Sequence, residues 1–211
     1  MSKFELTAKK IAKTFDHKKF IFTGLDFSIS SGETKGITGP NGSGKTTLVR
    51  TLCGSYSPDK GKIGWSAKGK DLKEEEYQTY FGLVSPYLTL YEEYTPEEHL
   101  RIFAELRGMG YDNNKCDLLL EQFSIKHQKY SEIKKFSSGQ KQRMKYVLAL
   151  QHSPKILFLD EPMSNLDTDG IEIVRGMISD HVSSGGCVVI ATNDEEEKKL
   201  CSEITNLNDF K

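Results

Sequence analysis

The chain has 211 residues, and its 29 Lys+Arg against 30 Asp+Glu leave a formal net charge of −1, without the basic excess of a dedicated nucleic-acid binder. With 36% hydrophobic and 10% aromatic residues it is neither disordered nor fibrous, and it is long enough to bury a core without staples. No apolar run approaches the roughly 18 residues of a membrane span, the first residues lack a secretory apolar stretch, and Cys53, Cys116, Cys187 and Cys201 are scattered without a C-x-x-C pair, against a zinc site or a disulfide framework.

Along the chain, Lys3–Leu6 and Phe20–Phe22 read as short β runs, and Leu25, Phe27 and Ile29 alternate up to a turn at residues 30–32. A strand is predicted over Lys35–Thr38, running into a Gly-rich loop, then a helix over Thr46–Cys53 with Leu48, Val49 and Leu52 facing inward. Lys62–Ser66 and Tyr80–Val84 are further strands. From Thr95 to Phe123 the apolar spacing is helical, through Leu100, Phe103, Ala104 and Leu106, a break at Gly108–Gly110, then Leu118, Leu119, Leu120 and Phe123. A helix over Gly139–Gln151, an apolar strand Ile156–Leu159, a helix around Gly170–Val182 and a second apolar strand Cys187–Ala191 follow, before the charged run Asp194–Lys199. Apolar strands alternating with helices predict a parallel sheet covered on both faces. Residues 86–136 read as a helical insertion in that α/β core.

The segment Gly39-Pro40-Asn41-Gly42-Ser43-Gly44-Lys45-Thr46-Thr47 matches G-x-x-x-x-G-K-[ST] between a predicted strand and a predicted helix. Its glycines let backbone N–H groups surround a phosphate, and the helix presents its positive dipole end to the same place. Lys45 is expected at the β/γ-phosphates and the Thr46 hydroxyl on Mg²⁺. Beyond the strand Ile156–Leu159 come Asp160 and Glu161. Strand ends of an open parallel sheet are where ligands sit, so Asp160 is expected in the Mg²⁺ shell. Glu161, turned the other way, is expected to orient and deprotonate a water.

These two segments, together with Phe136-Ser137-Ser138-Gly139-Gln140-Lys141-Gln142-Arg143 and Ser164-Asn165-Leu166-Asp167, resemble the ATP-binding cassette (ABC) ATPase family in motif order and spacing over essentially the whole chain. The resemblance implies a P-loop NTPase parallel-sheet core (residues 1–85 and 137–211), an N-terminal antiparallel β subdomain and an inserted α-helical subdomain at 86–136. It implies ATP and Mg²⁺ as ligands and Phe15 stacking on adenine. Ser137-x-x-Gln140 is a capping-box pattern at a helix start; by resemblance Ser137, Ser138, Gly139 and Gln140 form an anion site for the γ-phosphate held by a second ABC cassette, identical or different, with Asp167 in the loop beside it. Two cassettes would clasp two ATP molecules head to tail.

Three positions depart from the family pattern. Ser138 replaces a glycine of the signature, Ser85 stands where a Gln would touch Mg²⁺, and Asn193 stands where a His would reach the γ-phosphate. Asn donates a hydrogen bond but carries no charge, so competent ATP binding and slowed hydrolysis are expected, with Glu161, Asn193 and Ser85 as the catalytic set. The implied function is the ATPase subunit of a membrane transporter, an exporter of the small haem- or drug-export type, at the cytoplasmic face of the cell membrane. Its integral membrane partner is expected to dock on the Tyr-rich stretch Tyr87–Tyr94. One bare cassette is expected, without a fused span or a regulatory domain past Lys211. The rivals are a soluble nucleotide-gated regulator and a repair or translation factor; no nucleic-acid partner is expected.

Overall fold

The computed structural model describes residues 3–15 and 19–211. Strands β1 (Phe4–Lys13) and β2 (Phe22–Ser30) pair antiparallel. In β1 the side chains of Phe4, Leu6 and Ala8 go inward; then Lys10 takes a left-handed φ of 48° and the register slips between Ala8 and Ile11. This bulge breaks the alternation, which is why only Lys3–Leu6 reads as β in the sequence. Opposite it, a Cβ on Gly61 would lie 2.4 Å from the Lys9 carbonyl oxygen, so the partner strand needs glycine there. Of the run Phe20–Phe22 only Phe22 lies in a strand, as the first residue of β2.

Strand β3 (Thr34–Thr38) leads through the Gly-rich loop into helix α1 (Lys45–Leu52), and β4 (Lys60–Ala67) and β5 (Lys70–Asp71) complete an antiparallel sheet of order β2-β1-β4-β5. After β6 (Phe81–Val84), residues 86–136 hold α2 (Pro96–Leu106), α3 (Asn113–Gln122), short 3₁₀ turns and no strand. Helix α4 (Ser138–Leu150), β7 (Ile156–Asp160), α5 (Thr168–Ser183), β8 (Cys187–Ala191), a one-turn α6 (Glu195–Lys198) and β9 (Glu203–Asn206) follow. Strands β6, β7, β8, β3 and β9, in that order, form an all-parallel sheet.

Both faces of that sheet are covered, so its central strands are apolar throughout. Successive side chains point to opposite faces. Ile156, Phe158, Cys187 and Val189 pack with Leu48, Val49 and Leu52 of α1 and with the antiparallel sheet. Leu157, Leu159, Val188 and Ile190 pack with α4, α5 and the helices of 86–136, through Met144, Val147, Val174, Leu100 and Leu120. The inserted helices therefore share a core with the sheet. Two of their leucines do not join it: Leu106 is 77% exposed and Leu118 68% exposed, although both fit the helical spacing.

Candidate functional site

Parallel pairing puts the carboxyl ends of β3, β6, β7 and β8 at one edge, with Val84 beside Leu159, Asp160 beside Ala191 and Ala191 beside Ile37. Four loops thus start together, at Gly39, Ser85, Glu161 and Thr192. The sheet geometry assembles what lies far apart in sequence.

The first loop turns on left-handed Gly39, Gly42 and Gly44, with φ of 147°, 76° and 107°. A Cβ on Gly39 would sit 2.7 Å from Ser43 Oγ, so only glycine leaves room for that hydroxyl. Gly44 is the N-cap of α1 and no side chain caps the helix, so the first-turn N–H groups of Lys45, Thr46 and Thr47 are open to an anion. Buried Ser43 Oγ has no hydrogen-bond partner, a second donor in want of an acceptor. Lys45 is buried and its Nζ donates to Gly39 O at 2.8 Å. Burial pushes its ammonium below the ordinary lysine range, against the opposing pull of Glu161 and Asp160. A cleft of about 530 Å³ opens above, walled by Asn41, Gly42, Lys45, Thr46, Tyr87 and Glu161. Pro40 contributes its carbonyl, which accepts from Ser43 N at 2.9 Å and closes the turn.

At the adjacent strand end, Asp160 Oδ2 accepts from Thr46 Oγ1 at 2.7 Å and from Ser85 Oγ at 3.2 Å. Burial raises the Asp160 pKa, while the two hydroxyl bonds pull it down. These hard oxygens suit a magnesium ion. Among the described residues no group of three His, Cys, Asp or Glu side chains can hold a metal alone, so such an ion would take the rest of its shell from phosphate and water. The donor set thus fits MgATP.

Glu161 follows with a left-handed φ of 49° while its N–H still bonds Ala191 O at 2.9 Å. A non-glycine residue in that region is strained, and the turn sets Glu161 on the wall shared by the phosphate cleft and a neighbouring cavity of about 410 Å³. Asn193 lines that cavity too, and its Nδ2 donates to Asn41 Oδ1 at 3.0 Å, tying the β8 loop to the phosphate loop.

The remaining expected residues lie elsewhere. Ser137 caps α4: its Oγ accepts from Gln140 N at 3.2 Å and Gln140 Oε1 accepts from Ser137 N at 2.9 Å. Ser138 and Gly139 open the helix, and a Cβ on Gly139 would come within 3.0 Å of Asn165 O, so the signature packs directly on the 164–167 loop. None of these four residues walls the phosphate cleft. Asp167 caps α5, accepting from Gly170 N at 2.9 Å and from Arg143 Nη2 at 2.6 Å. That guanidinium holds its carboxyl below the usual range. Phe15 is 62% exposed at the end of β1. Sequence reasoning missed Arg50 on the cleft wall and Tyr56 beside it. Arg50 lies in the last turn of α1 and Tyr56 on the chain just after it, and no motif encodes either.

The family model described as ABC transporter matches residues 22–164. A cytochrome c biogenesis ATP-binding export protein of Nitrosospira multiformis is 33% identical over 84% of this chain and 86% of its own length. A daunorubicin resistance ATP-binding protein of Streptomyces coeruleorubidus is 32% identical over 93% of this chain and 63% of its own. A solved structure titled as the ATP binding subunit of an ABC transporter superposes with a TM-score of 0.82 at 26% identity, covering 95% of this chain and 85% of that one.

Proposed function

This chain belongs to the ABC transporter family as an ATPase with the P-loop NTPase fold, and from that premise we propose that it is the nucleotide-hydrolysing subunit of a membrane exporter, working as a head-to-tail pair of cassettes. The observation that carries the reading is the convergence of the uncapped α1 N-terminus, Lys45 and the Thr46–Asp160–Ser85 oxygen cluster at one edge of the parallel sheet. The backbone N–H groups of Lys45, Thr46 and Thr47 and the Lys45 ammonium bind and orient the triphosphate. Thr46 and Asp160, with Ser85 behind them, would hold Mg²⁺, which would supply positive charge to the phosphate oxygens. The Glu161 carboxylate takes the proton of the attacking water, and the Asn193 amide donates toward the developing phosphoryl charge.

The start of α4 supports the paired arrangement: it lies away from the chain's own phosphate loop, and its capping box takes the Gln140 N–H but leaves those of Ser138 and Gly139 for an anion. The export direction leans on the Nitrosospira relative, described as an export protein. The membrane subunit is assigned to the face carrying Tyr87 and Tyr91, 70% and 62% exposed, next to an apolar groove formed by Leu83, Leu88, Phe103 and Leu148. Among the described residues no helix is long and apolar enough to cross a membrane; the reading seats the cassette at the cytoplasmic face through its membrane partner.

The test is Glu161→Gln, which keeps the side chain's shape but cannot accept the proton. Bound ATP should persist, and light scattering should show monomer converting to dimer on adding MgATP. A protein that stays monomeric at high concentration and saturating MgATP overturns the shared site for this chain alone.

A further inference from the structure

We propose that Tyr56 is a positioning residue for the base-binding ring Phe15, held by Arg50 of the phosphate cleft; this rests on the reading of Phe15 as the surface on which the nucleotide base stacks. The Tyr56 and Phe15 rings meet in a T-shaped contact, with centroids 5.6 Å apart at an interplanar angle of 84°. That is a favoured aromatic geometry, and Phe15 stays exposed enough beside it to offer ring surface to a flat heterocycle. Tyr56 is itself fixed twice by Arg50: its hydroxyl accepts from Arg50 Nη1 at 2.8 Å, and its N–H donates to Arg50 O at 3.0 Å.

The two aromatic residues come from separate segments, and the structure stitches those together. Asp59 Oδ2 accepts from Thr14 N at 2.7 Å, Asp59 N donates to Ala12 O at 2.8 Å, and Lys13 Nζ donates to Ser57 O at 2.8 Å. The loop after α1 is thus clamped to the end of β1 next to the aromatic pair. Lys13 Nζ also lies 5.7 Å from the Phe15 ring centroid. Arg50 lines the cleft beside Lys45 and Thr46, so one chain of contacts runs from the triphosphate to the base: Arg50, Tyr56, Phe15. An exposed phenylalanine at a strand end has many rotamers, and holding it in one orientation removes that ordering cost from binding.

The experiment compares calorimetric affinities for MgATP and for magnesium tripolyphosphate, which has the phosphates but no base. Tyr56→Leu should weaken MgATP about two- to tenfold, the range of one aromatic pair, and leave tripolyphosphate unchanged, which also reports that the variant is folded. Tyr56→Phe keeps the ring and the backbone bond to Arg50 O and loses only the hydroxyl bond to Arg50 Nη1, so its loss should be smaller. Unchanged MgATP affinity in Tyr56→Leu, with Phe15→Ala still weakened, overturns the role of Tyr56 alone. An unchanged Phe15→Ala overturns the base-stacking reading with it. Equal losses for MgATP and tripolyphosphate would place Tyr56 with the phosphates, and overturn the proposal too.

Discussion

Asn193 meets the phosphate loop through an uncharged amide bonded to Asn41 at 3.0 Å, so the β8 loop is anchored without any group that titrates near neutrality. Asn193→His should strengthen the donor facing the developing phosphoryl charge and raise steady-state turnover severalfold where chemistry limits it. It should also introduce a pH dependence near the ordinary histidine value of about 6.5, with little change in ATP affinity. An ATPase profile of both proteins from about pH 5.5 to 8.5 checks this; lower activity throughout would mean the loop is shaped around the Asn193–Asn41 bond. Lys45 sits at the other extreme, buried and charged against Gly39 O. Lys45→Ala removes a charge-assisted bond of about 1.5–3 kcal/mol, so MgATP should bind roughly ten- to a hundredfold more weakly by calorimetry. Equal affinity would remove the phosphate site from this loop.

Strand β6 shows how closely the elements are seated, since a Cβ on Gly82 would lie 2.5 Å from Ala149 O on α4 and 2.8 Å from Leu157 Cδ2 on β7. Gly82→Ala should cost about 1–3 kcal/mol by overpacking, a fall of roughly 2–4 °C in melting temperature per kcal/mol in a chain this size. An unchanged melting temperature would mean that α4 moves aside freely. Elements like β7, β8 and α1 are legible in the sequence because unbroken apolar runs and one phosphate motif mark them. The capping box at Ser137 and Gln140 is legible for the same reason: both halves lie within one turn. What is illegible depends on partners distant in the chain. The bulge at Lys10 hides half of β1, and β9, with only Leu207 buried just beyond it, owes its place to pairing with β3. Within the site, Lys45, Asp160 and Glu161 are readable from motifs. The Arg50–Tyr56 contact is not, because the turn that folds Tyr56 back onto Arg50 carries no motif, and the Asp167–Arg143 pair is not, because its residues meet only once α4 and α5 have packed.

Across the whole molecule, His99 is buried and His152 and His181 are half-buried against their neighbours, and acid should find these rings. His152 donates from Nε2 to Phe81 O at 2.9 Å, while its buried Nδ1 has no partner. Burial, reinforced by Arg107 and Lys115, pushes its pKa down to about 4. His99 uses Nε2 to accept from Tyr91 N at 3.0 Å, so protonation there would set two N–H groups against each other, and burial lowers its pKa. His181 is lowered by burial as well, with its Nε2 unpartnered. Below about pH 6.5 the unfolded chain takes up protons at these rings that the folded chain refuses, so stability rises with pH across that window and is lost as pH falls toward 4. Asp160 and Glu197, raised by burial, act in the opposite sense, because their folded forms gain protons earlier on acidification. With the pKa of His152 driven down to about 4, the histidines are expected to dominate. The melting temperature should therefore drop between about pH 7 and 5, and the drop should be visibly smaller in His152→Gln, whose amide still donates to Phe81 O but cannot titrate. Parallel melting curves for the two proteins would show that the acid sensitivity arises elsewhere.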